Sequence, residues 1–327
     1  MTIKLSAPGR KLRILFFWLL VLTALFSGPA LAAQQLERVT LQLRWFHQFQ
    51  FAGYYAALEH GYYRDAGLDV VIQERAREQD PVEMVASGRA EYGVTNSEIL
   101  LHAIQGKPLV VLAAIYQHSP LVLVAKEGTG IDTPHDLIGA RVKMTRHSRD
   151  VELQAMLAKE GVSLDQVRLT DGEVGMADYL DPGVDALSAY VSNQPFYLTQ
   201  AGRNYRILWP RQYGVDFYGD CLFTNQSELT SRPDRVQAFL DASLKGWQYA
   251  MDHPEEIITL IQERYNADKS VEHLRFEAER IRELILPEFV RISHINPGRW
   301  RHIADTSNNW VLSRPRMCLN IFFRFYL

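Results

Sequence analysis

Apolar and polar positions alternate with the period of a β-strand in "RVTLQLRW", which places three aliphatic side chains on one face: Val39, Leu41 and Leu43. The following segment, "GYYAALEHGYYRDAG", spaces its apolar side chains as a helix does and ends on a glycine. A second strand pattern, "LDVVIQE", comes next. These three segments predict a β-α-β unit.

Strand and helix patterns keep alternating along the chain. Helices are predicted in "DPVEMVASG", "SEILLHAIQG" and "DVELQAMLAKEGV", with strands in "AEYGVT", "LVVLAAIYQ", "LVLVAKEG", "VDALSAYVS", "YRILWP" and "DFYGDCLFTN". From Glu228 onward the pattern is helical. Short strands between helices are typical of an α/β fold with a largely parallel sheet. We expect two α/β lobes: residues 37–125 with 224–305, and residues 126–223 inserted between them.

The first 33 residues differ from the rest. Basic residues precede the apolar run "ILFFWLLVLTALF", and small residues follow at Ala30 and Ala32. This layout is typical of a secretory signal peptide, although an uncleaved membrane anchor is an alternative. The apolar run is shorter than the ~20 residues of a comfortable membrane span, which favours the signal peptide. Either interpretation predicts export across a membrane.

Composition and charge are those of an ordinary globular protein. Hydrophobic residues make up 47% of the 327 residues and charged residues 22%, and the formal net charge is -3. The basic residues form no stripe, which argues against nucleic acid as a partner. Two cysteines, Cys221 and Cys318, are too few for a disulfide framework.

Polar or aromatic residues end several predicted strands, in "RWFHQFQFAGYY", "VTNSE", "IYQHSP", "MTRHSRD", "AYVSNQP" and "DFYGD". Ligands of open α/β sheets bind at the carboxyl ends of the strands, so these turns predict one shared cleft. Aromatic faces with a few polar groups suit a small planar ligand. The candidate ligand-binding residues are Trp45, Gln48, Phe49, Tyr54, Asn96, Ser97, Gln117, Tyr190, Asn193, Tyr218 and Asp220.

Residues of these types also have structural roles, in core packing and in turns, that are alternatives to ligand binding. Four aromatic residues of the first turn and helix are expected in the core: Phe46, Phe51, Tyr55 and Tyr62. Asparagine and aspartate side chains also stabilise turns. Three histidines in separate segments, His47, His118 and His147, do not predict a metal site. The sequence contains no phosphate-binding loop, nucleophile elbow or H-E-x-x-H motif, so no catalytic residue is predicted.

From about Val39 to Asp305 the chain resembles the bacterial periplasmic binding proteins for sulfonates and thiamine-pyrimidine precursors, a family that includes the fungal thiamine pyrimidine synthase. The segments that carry the resemblance include "LRWFHQFQFAGYYAALEHGYYRDAGLDV", "DPVEMVASGRAEYGVTNSEILL", "DALSAYVSNQPFYL" and "YGVDFYGDCLFTN". The resemblance implies a type II periplasmic-binding fold, two α/β lobes joined by a two-strand hinge that closes on a ligand.

The resemblance also implies an enzymatic alternative. Members similar to the fungal synthase use pyridoxal phosphate and iron, and carry a lysine after the "GRAEYGV" strand and a cysteine cluster in the later hinge strand. Here that turn is Thr95-Asn96-Ser97, and the hinge strand holds Cys221 alone. A Schiff base needs an amine at this position. We therefore expect a binding protein without a cofactor, and keep the synthase as the alternative.

"HQFQFAGYYAA" and "YQHSPLVL" are similar to sensory members of the family, which precede membrane-bound kinases or cyclases. The partners implied are a small-molecule ligand and either an ABC permease or a membrane sensor module. The resemblance implies a short helix and a Pro-rich segment after "RWRHIADT", whereas the pattern of "SNNWVLSRPRMCLNIFFRFYL" predicts neither. Residues 306–327 are therefore expected to be an atypical tail, from a truncated or disrupted frame.

Overall fold

The computed structural model describes residues 35–76, 79–145, 150–172, 174–265 and 269–310. The predicted signal segment and residues 311–327 of the predicted tail lie outside the described residues. The chain divides into two units, Met1–Leu36 and Glu37–Leu327. Residues 35 and 36 of the first unit are exposed, and the elements below belong to the second.

Ten strands of the described chain form two five-stranded sheets. The first sheet has the order β2-β1-β3-β10-β4 and the second β7-β6-β8-β5-β9. The strands are β1 Glu37–Gln42, β2 Leu68–Gln73, β3 Tyr92–Thr95, β4 Leu109–Ala114, β5 Leu121–Lys126, β6 Arg141–Met144, β7 Arg168–Asp171, β8 Ala186–Tyr190, β9 Tyr205–Leu208 and β10 Cys221–Asn225.

Helices follow the strands, as the sequence pattern predicts. They are α1 Ala52–Glu59, α2 Tyr62–Asp65, α3 Pro81–Ala86, α4 Ile99–Ile104, α5 Val151–Lys159, α6 Met176–Leu180, α7 Gln194–Gln200, α8 Gln226–Ser231, α9 Pro233–Asp252, α10 Pro254–Arg264, α11 Val271–Ile285 and α12 Pro297–Trp310. The helical C-terminal part is thus confirmed, and α12 includes the first five residues of the predicted tail. Within the described ranges, no helix has the length and apolarity to cross a membrane.

Strand directions differ from the largely parallel arrangement that the alternation predicts. In the first sheet β1 runs parallel to β2 and β3, but β10 is antiparallel to both β3 and β4. In the second sheet β6 is parallel to β7 and β8, but β5 is antiparallel to β8 and β9. Both sheets are therefore mixed, because β5 and β10 each enter a sheet directly from the other one.

The chain passes between the sheets at two places, residues 115–120 and residues 209–220. β5 pairs entirely within the second sheet and β10 entirely within the first. The strand pairing thus puts both crossings a few residues earlier than the limits at 125 and 223 expected from the sequence. The expected limits cut β10 in two and assign β5 to the other sheet.

The aromatic side chains that follow β1 divide between core and surface. Val39, Leu41 and Leu43 are buried as the alternation predicts, and so are the predicted core residues Phe51 and Tyr55. Tyr62 is only partly buried, at the edge of the core. The expectation for Phe46 is wrong: its side chain is 50% exposed, because the turn directs it outward, edge-on to Trp45 with 5.4 Å between ring centroids.

Helices α1 and α9 cross in close contact at two glycines. A Cβ atom on Gly246 would lie 2.1 Å from the carbonyl oxygen of Gly53, and one on Gly53 would lie 2.2 Å from the Trp247 ring. Both distances are far below van der Waals contact. The packing of the two helices therefore requires glycine at both positions.

We expect Gly246→Ala to lower the free energy of unfolding by about 2 kcal/mol, the usual scale for overpacking a core. Urea denaturation measures the change. The control is Gln237→Ala, an exposed position of the same helix, which should stay within about 0.5 kcal/mol of wild type. An equal effect of both substitutions would show that the crossing is loose.

Candidate functional site

The carboxyl ends of β1, β3, β6 and β8 lie around one cavity between the two sheets. Its volume is about 120 Å³, many times the roughly 10–15 Å³ that one water needs, so it can hold a small organic molecule. The cavity is lined by Arg44, Trp45, Gln48, Gln50, Arg75, Asp80, Pro81, Thr95, Glu98, Leu121, Thr145, Asp150, Val174, Ser188, Ala189, Tyr190, Asn193 and Gln194.

Four of the six predicted strand-end turns supply twelve of these eighteen residues. The structure brings four of the candidate ligand-binding residues to the cavity wall: Trp45, Gln48, Tyr190 and Asn193. Of "MTRHSRD", Thr145 and Asp150 line the cavity, and residues 146–149 lie outside the described part. The turns "IYQHSP" and "DFYGD" contribute no described lining residue.

Phe49 and Tyr54 do not reach the cavity, which corrects their assignment as stacking residues. Both side chains are 0% exposed and belong to the core of the first lobe. Tyr54 packs edge-on against Trp247, with ring centroids 5.6 Å apart. Gln48 has an extended backbone and leads into the 3-10 helix Phe49–Phe51, whose successive side chains point about 120° apart. Gln48 and Gln50 face the cavity, and Phe49 faces the core.

Four other candidates are occupied by contacts within the chain rather than placed at the cavity. The side-chain oxygen of Asn96 accepts a hydrogen bond from the backbone N–H of Glu98, and the Ser97 hydroxyl donates to the carbonyl of Tyr218. Gln117 donates to the carbonyls of Ala114 and His294. The hydroxyl of Tyr218 accepts from the backbone of Asn296. These residues stabilise turns, which is the alternative role that the sequence analysis gave for such residue types.

Asp220 lies behind the cavity wall and is 1% exposed. One carboxylate oxygen accepts a hydrogen bond of 2.7 Å from the Gln50 amide. The other lies 3.8 Å from a guanidinium nitrogen of Arg44 and has no hydrogen-bond partner among the described residues. Asp220 therefore acts on the cavity through Arg44 and Gln50.

Arg44 is the central charge of the cavity, and the sequence analysis missed it. Its guanidinium lies 3.6 Å from Glu98 and 3.8 Å from Asp220, and 5.3 Å from the Tyr190 ring centroid. These ion pairs are longer than hydrogen bonds. The charge of Arg44 is therefore balanced by the two acids, while the guanidinium nitrogens and carboxylate oxygens of these pairs are not hydrogen-bonded to each other. The missed signal is that Arg44 and Glu98 are the charged residues of two turns already singled out for other side chains.

Four buried polar atoms around Arg44 have no hydrogen-bond partner within the described structure: Arg44 Nη1, Glu98 Oε2, Tyr190 OH and Asp220 Oδ1. Buried polar groups are nearly always paired, and an unpaired one costs about 1–3 kcal/mol. Three of these atoms, on Arg44, Glu98 and Tyr190, belong to residues that line the cavity, whereas Asp220 lies behind its wall. A ligand that carries both donors and acceptors would satisfy them together.

Burial also changes the ionisation of the nearby acids. It raises the pKa of Asp220 to about 6, although Arg44 and the hydrogen bond from Gln50 oppose the shift. Burial likewise raises the pKa of Asp150 above its ordinary value. Asp80 is fixed differently, as it accepts hydrogen bonds from the first backbone N–H groups of α3.

The histidines do not form a metal cluster in the part of the chain that is described. His47 contacts the Tyr55 hydroxyl at 2.8 Å, and His118 contacts Asp216 at 2.8 Å. No group of three histidine, cysteine or acidic residues in the described ranges could hold an ion. His147 lies outside those ranges, and so does Cys318; Cys221 is buried with a free thiol.

Comparison with known proteins places this architecture in a family. The family model described as "NMT1/THI5 like" matches residues 48–257, well over half of the chain. The chain belongs to this NMT1/THI5-like family. The match begins at Gln48 in the cavity wall, and it includes both crossings between the sheets and most of the lining residues.

Two curated proteins similar to this NMT1/THI5-like chain bind nitrogen heterocycles by name. The formylaminopyrimidine-binding protein of Halalkalibacterium halodurans is 26% identical over 260 residues, 77% of this chain and 78% of that protein. The riboflavin-binding protein RibY of Chloroflexus aurantiacus is 25% identical over 242 residues, 72% of this chain and 68% of that protein.

Among solved structures, the alkanesulfonate-binding protein SsuA from Xanthomonas axonopodis pv. citri, bound to MOPS, superimposes with a TM-score of 0.66. The alignment covers 86% of this chain and 96% of SsuA at 15% identity. This likeness confirms the predicted type II periplasmic-binding fold of the NMT1/THI5-like protein.

The raised pKa of Asp220 predicts how stability depends on pH. The folded protein binds this proton more tightly than the unfolded chain, whose carboxyl titrates near 3.8. Stabilisation from this group is therefore present at low pH and is lost as the pH rises from about 4 to about 6. The free energy of unfolding of wild type minus that of Asp220→Asn should fall by roughly 2 kcal/mol across this range.

Urea denaturation at pH 4 and pH 7 tests this difference. The control is Asp241→Asn, an exposed position on α9, which should stay within about 0.5 kcal/mol of wild type. A constant difference for Asp220→Asn would show that its carboxyl titrates normally in the folded protein.

Proposed function

We propose that this chain is an exported solute-binding protein that captures a small planar heterocycle, a thiamine-related pyrimidine, and releases it unchanged. The observation that carries the proposal is the set of unpaired buried atoms around Arg44, beside the aromatic faces of Trp45 and Tyr190. Planar faces with convergent donors and acceptors match a substituted pyrimidine ring.

An aminopyrimidine complements these atoms group by group. Its exocyclic amine donates hydrogen bonds, which the free oxygen of Glu98 can accept. Its ring nitrogens accept hydrogen bonds, which Arg44 can donate. Hydrogen bonds to charged groups contribute about 1.5–3 kcal/mol each, and the ring faces gain further energy from the aromatic side chains.

The charges that line the cavity favour heterocyclic ligands over anionic ones. Among the described lining residues, three are acidic, Asp80, Glu98 and Asp150, and two are arginines, Arg44 and Arg75. These acids would repel an anionic sulfonate, but they would not repel a neutral or cationic heterocycle. The two relatives that bind a formylaminopyrimidine and riboflavin support a heterocycle as well.

The synthase alternative needs an amine for pyridoxal phosphate. At the turn after β3, where members similar to the fungal synthase carry lysine, Asn96 accepts a hydrogen bond from the backbone of Glu98. None of the described residues that line the cavity is a lysine. These residues do not fit a Schiff base. Absorbance near the edge of the visible range after incubation with pyridoxal phosphate would support the synthase alternative.

Two partners suit an exported binding protein of this family: the permease of an ABC importer, or a membrane sensor module for which the chain is the input domain. The neighbouring genes distinguish them. Permease and ATPase genes beside this one support transport, whereas a kinase or cyclase frame downstream supports sensing. Periplasmic localisation follows from the predicted signal segment.

Isothermal titration calorimetry with 4-amino-5-hydroxymethyl-2-methylpyrimidine tests the ligand. Wild type should bind it, and Glu98→Gln should weaken binding by about tenfold to a hundredfold, because a charged acceptor for the amine is lost. The matched control is Glu279→Gln, an exposed acid on α11, which should bind as wild type does.

No heat from aminopyrimidines, together with tight binding of an alkanesulfonate, would overturn the proposal. Binding of riboflavin alone would retain the heterocycle class and replace the pyrimidine.

Trp45→Ala should weaken pyrimidine binding by at least about tenfold, the usual scale for loss of one stacking face. Trp209→Ala is the matched control, because Arg211 lies over the Trp209 ring at 4.2 Å as Arg75 lies over the Trp45 ring at 5.2 Å, but Trp209 does not line the cavity. The same calorimetry measures both variants. Equal affinity of Trp45→Ala and wild type would place the ligand elsewhere.

A further inference from the structure

A continuous chain of hydrogen bonds runs along one wall of the cavity. The Lys269 ammonium donates to the Asn193 side-chain oxygen at 2.9 Å, and the Asn193 amide donates to the Gln48 oxygen at 3.2 Å. Gln48 then donates to Gln50, and Gln50 donates to the Asp220 carboxylate at 2.7 Å. We call these five side chains the relay. Its three amides all line the cavity.

The two ends of the relay fix its direction. A lysine ammonium can only donate hydrogen bonds, and a carboxylate can only accept them. An amide can point either way, since it has a donor and an acceptor of nearly the same shape. Between a cation and an anion, however, each amide must turn its oxygen toward Lys269 and its NH2 group toward Asp220. Reversal of any one would place two donors or two acceptors against each other.

Lys269 is held firmly at its end of the relay. Its ammonium also pairs with the carboxylate of Glu277, which is 0% exposed and accepts a hydrogen bond from the backbone of Phe49 at 2.8 Å. His273 lies 3.3 Å from the same ammonium. Burial and the lysine charge lower the pKa of His273 to about 3, so the imidazole is neutral and Lys269 carries the positive charge of this cluster.

The relay crosses the cleft, because Asn193 follows β8 of the second sheet while Gln48 and Gln50 follow β1 of the first. The pattern of donors and acceptors on this wall is therefore complete only with both lobes in contact. Lys269 is not among the residues that line the cavity. Its influence on a ligand passes through the three amides.

We infer that Lys269 is a positioning residue that sets ligand specificity. By orienting Asn193, Gln48 and Gln50, it decides where the cavity wall offers hydrogen-bond donors and where it offers acceptors. This inference rests on the proposed function and names the feature of the pyrimidine that is recognised. That feature is the order of donor and acceptor along one ring edge, so an aminopyrimidine is distinguished from a hydroxypyrimidine of the same shape.

The test compares two probes, 4-amino-5-hydroxymethyl-2-methylpyrimidine and its 4-hydroxy analogue. In its pyrimidinone form the analogue carries a carbonyl acceptor in place of the amine and a ring N–H in place of the adjacent ring nitrogen. Donor and acceptor are thus exchanged at nearly constant shape. Wild type should prefer the amino compound by about tenfold or more, because a mismatch leaves buried groups unpaired.

Lys269→Met frees the amides to reverse, so the ratio of the two dissociation constants should fall by at least about threefold from its wild-type value, while Glu98 and Arg44 continue to favour the amino compound. Because this change leaves Glu277 buried without its cation, the double variant Lys269→Met/Glu277→Gln is measured alongside it, and the same loss is expected. Lys269→Arg keeps a donor-only cation and should retain the preference. The matched control is Lys107→Met, since Lys107 also pairs with a glutamate and a histidine, Glu83 and His102.

The ratio of the two dissociation constants distinguishes an effect of Lys269 on ligand specificity from an effect on the stability of the fold. If the Lys269 variants bind both probes more weakly but keep the wild-type ratio, Lys269 has a structural role only and the inference is wrong. Equal binding of both probes by wild type also overturns it, while pyrimidine binding stands. If wild type binds neither probe, the proposed function itself fails, and the inference fails with it.

Discussion

The buried carboxylate of Glu277 joins the parts from which the cleft is built. It accepts a hydrogen bond from the backbone of Phe49, at the start of the turn that carries Gln48 and Gln50, and it pairs with Lys269. Burial raises the pKa of Glu277 and lowers that of Lys269, and their pairing opposes both shifts. A buried ion pair is weak evidence for stability but holds its surroundings in one arrangement. Here that arrangement is the cavity wall.

The cavity combines two kinds of polar group. Each amide of the relay accepts one hydrogen bond and donates one, so the amides are ordered before a ligand arrives. Around Arg44, by contrast, the ion pairs are too long for hydrogen bonds and several atoms remain unpaired. An ordered wall costs little entropy on binding, and unpaired buried atoms gain most from a partner. The two halves of the cavity thus favour binding for different physical reasons.

Much of the fold could be predicted from the sequence, because strand and helix periods set which side chains are buried. The same periods located four of the turns that meet at the cavity. They could not decide which side chains of a turn face it, and so Phe49 and Tyr54 were assigned to the ligand although Gln50 and Arg44 lie there. Lys269 and Glu277 are more than 200 residues away from that turn in the sequence, and only the tertiary packing brings them to it.

Because β10 returns to the first sheet from the second, the second sheet can be completed before the first. Strands β5 to β9 form one continuous stretch, Leu121 to Leu208, with every neighbour they need. The first sheet has four strands by residue 114, but β3 and β4 stay unjoined until β10 is made at residue 225. Pairings between distant segments are slow to form. During synthesis, the lobe that begins the chain is thus the last to obtain its complete sheet.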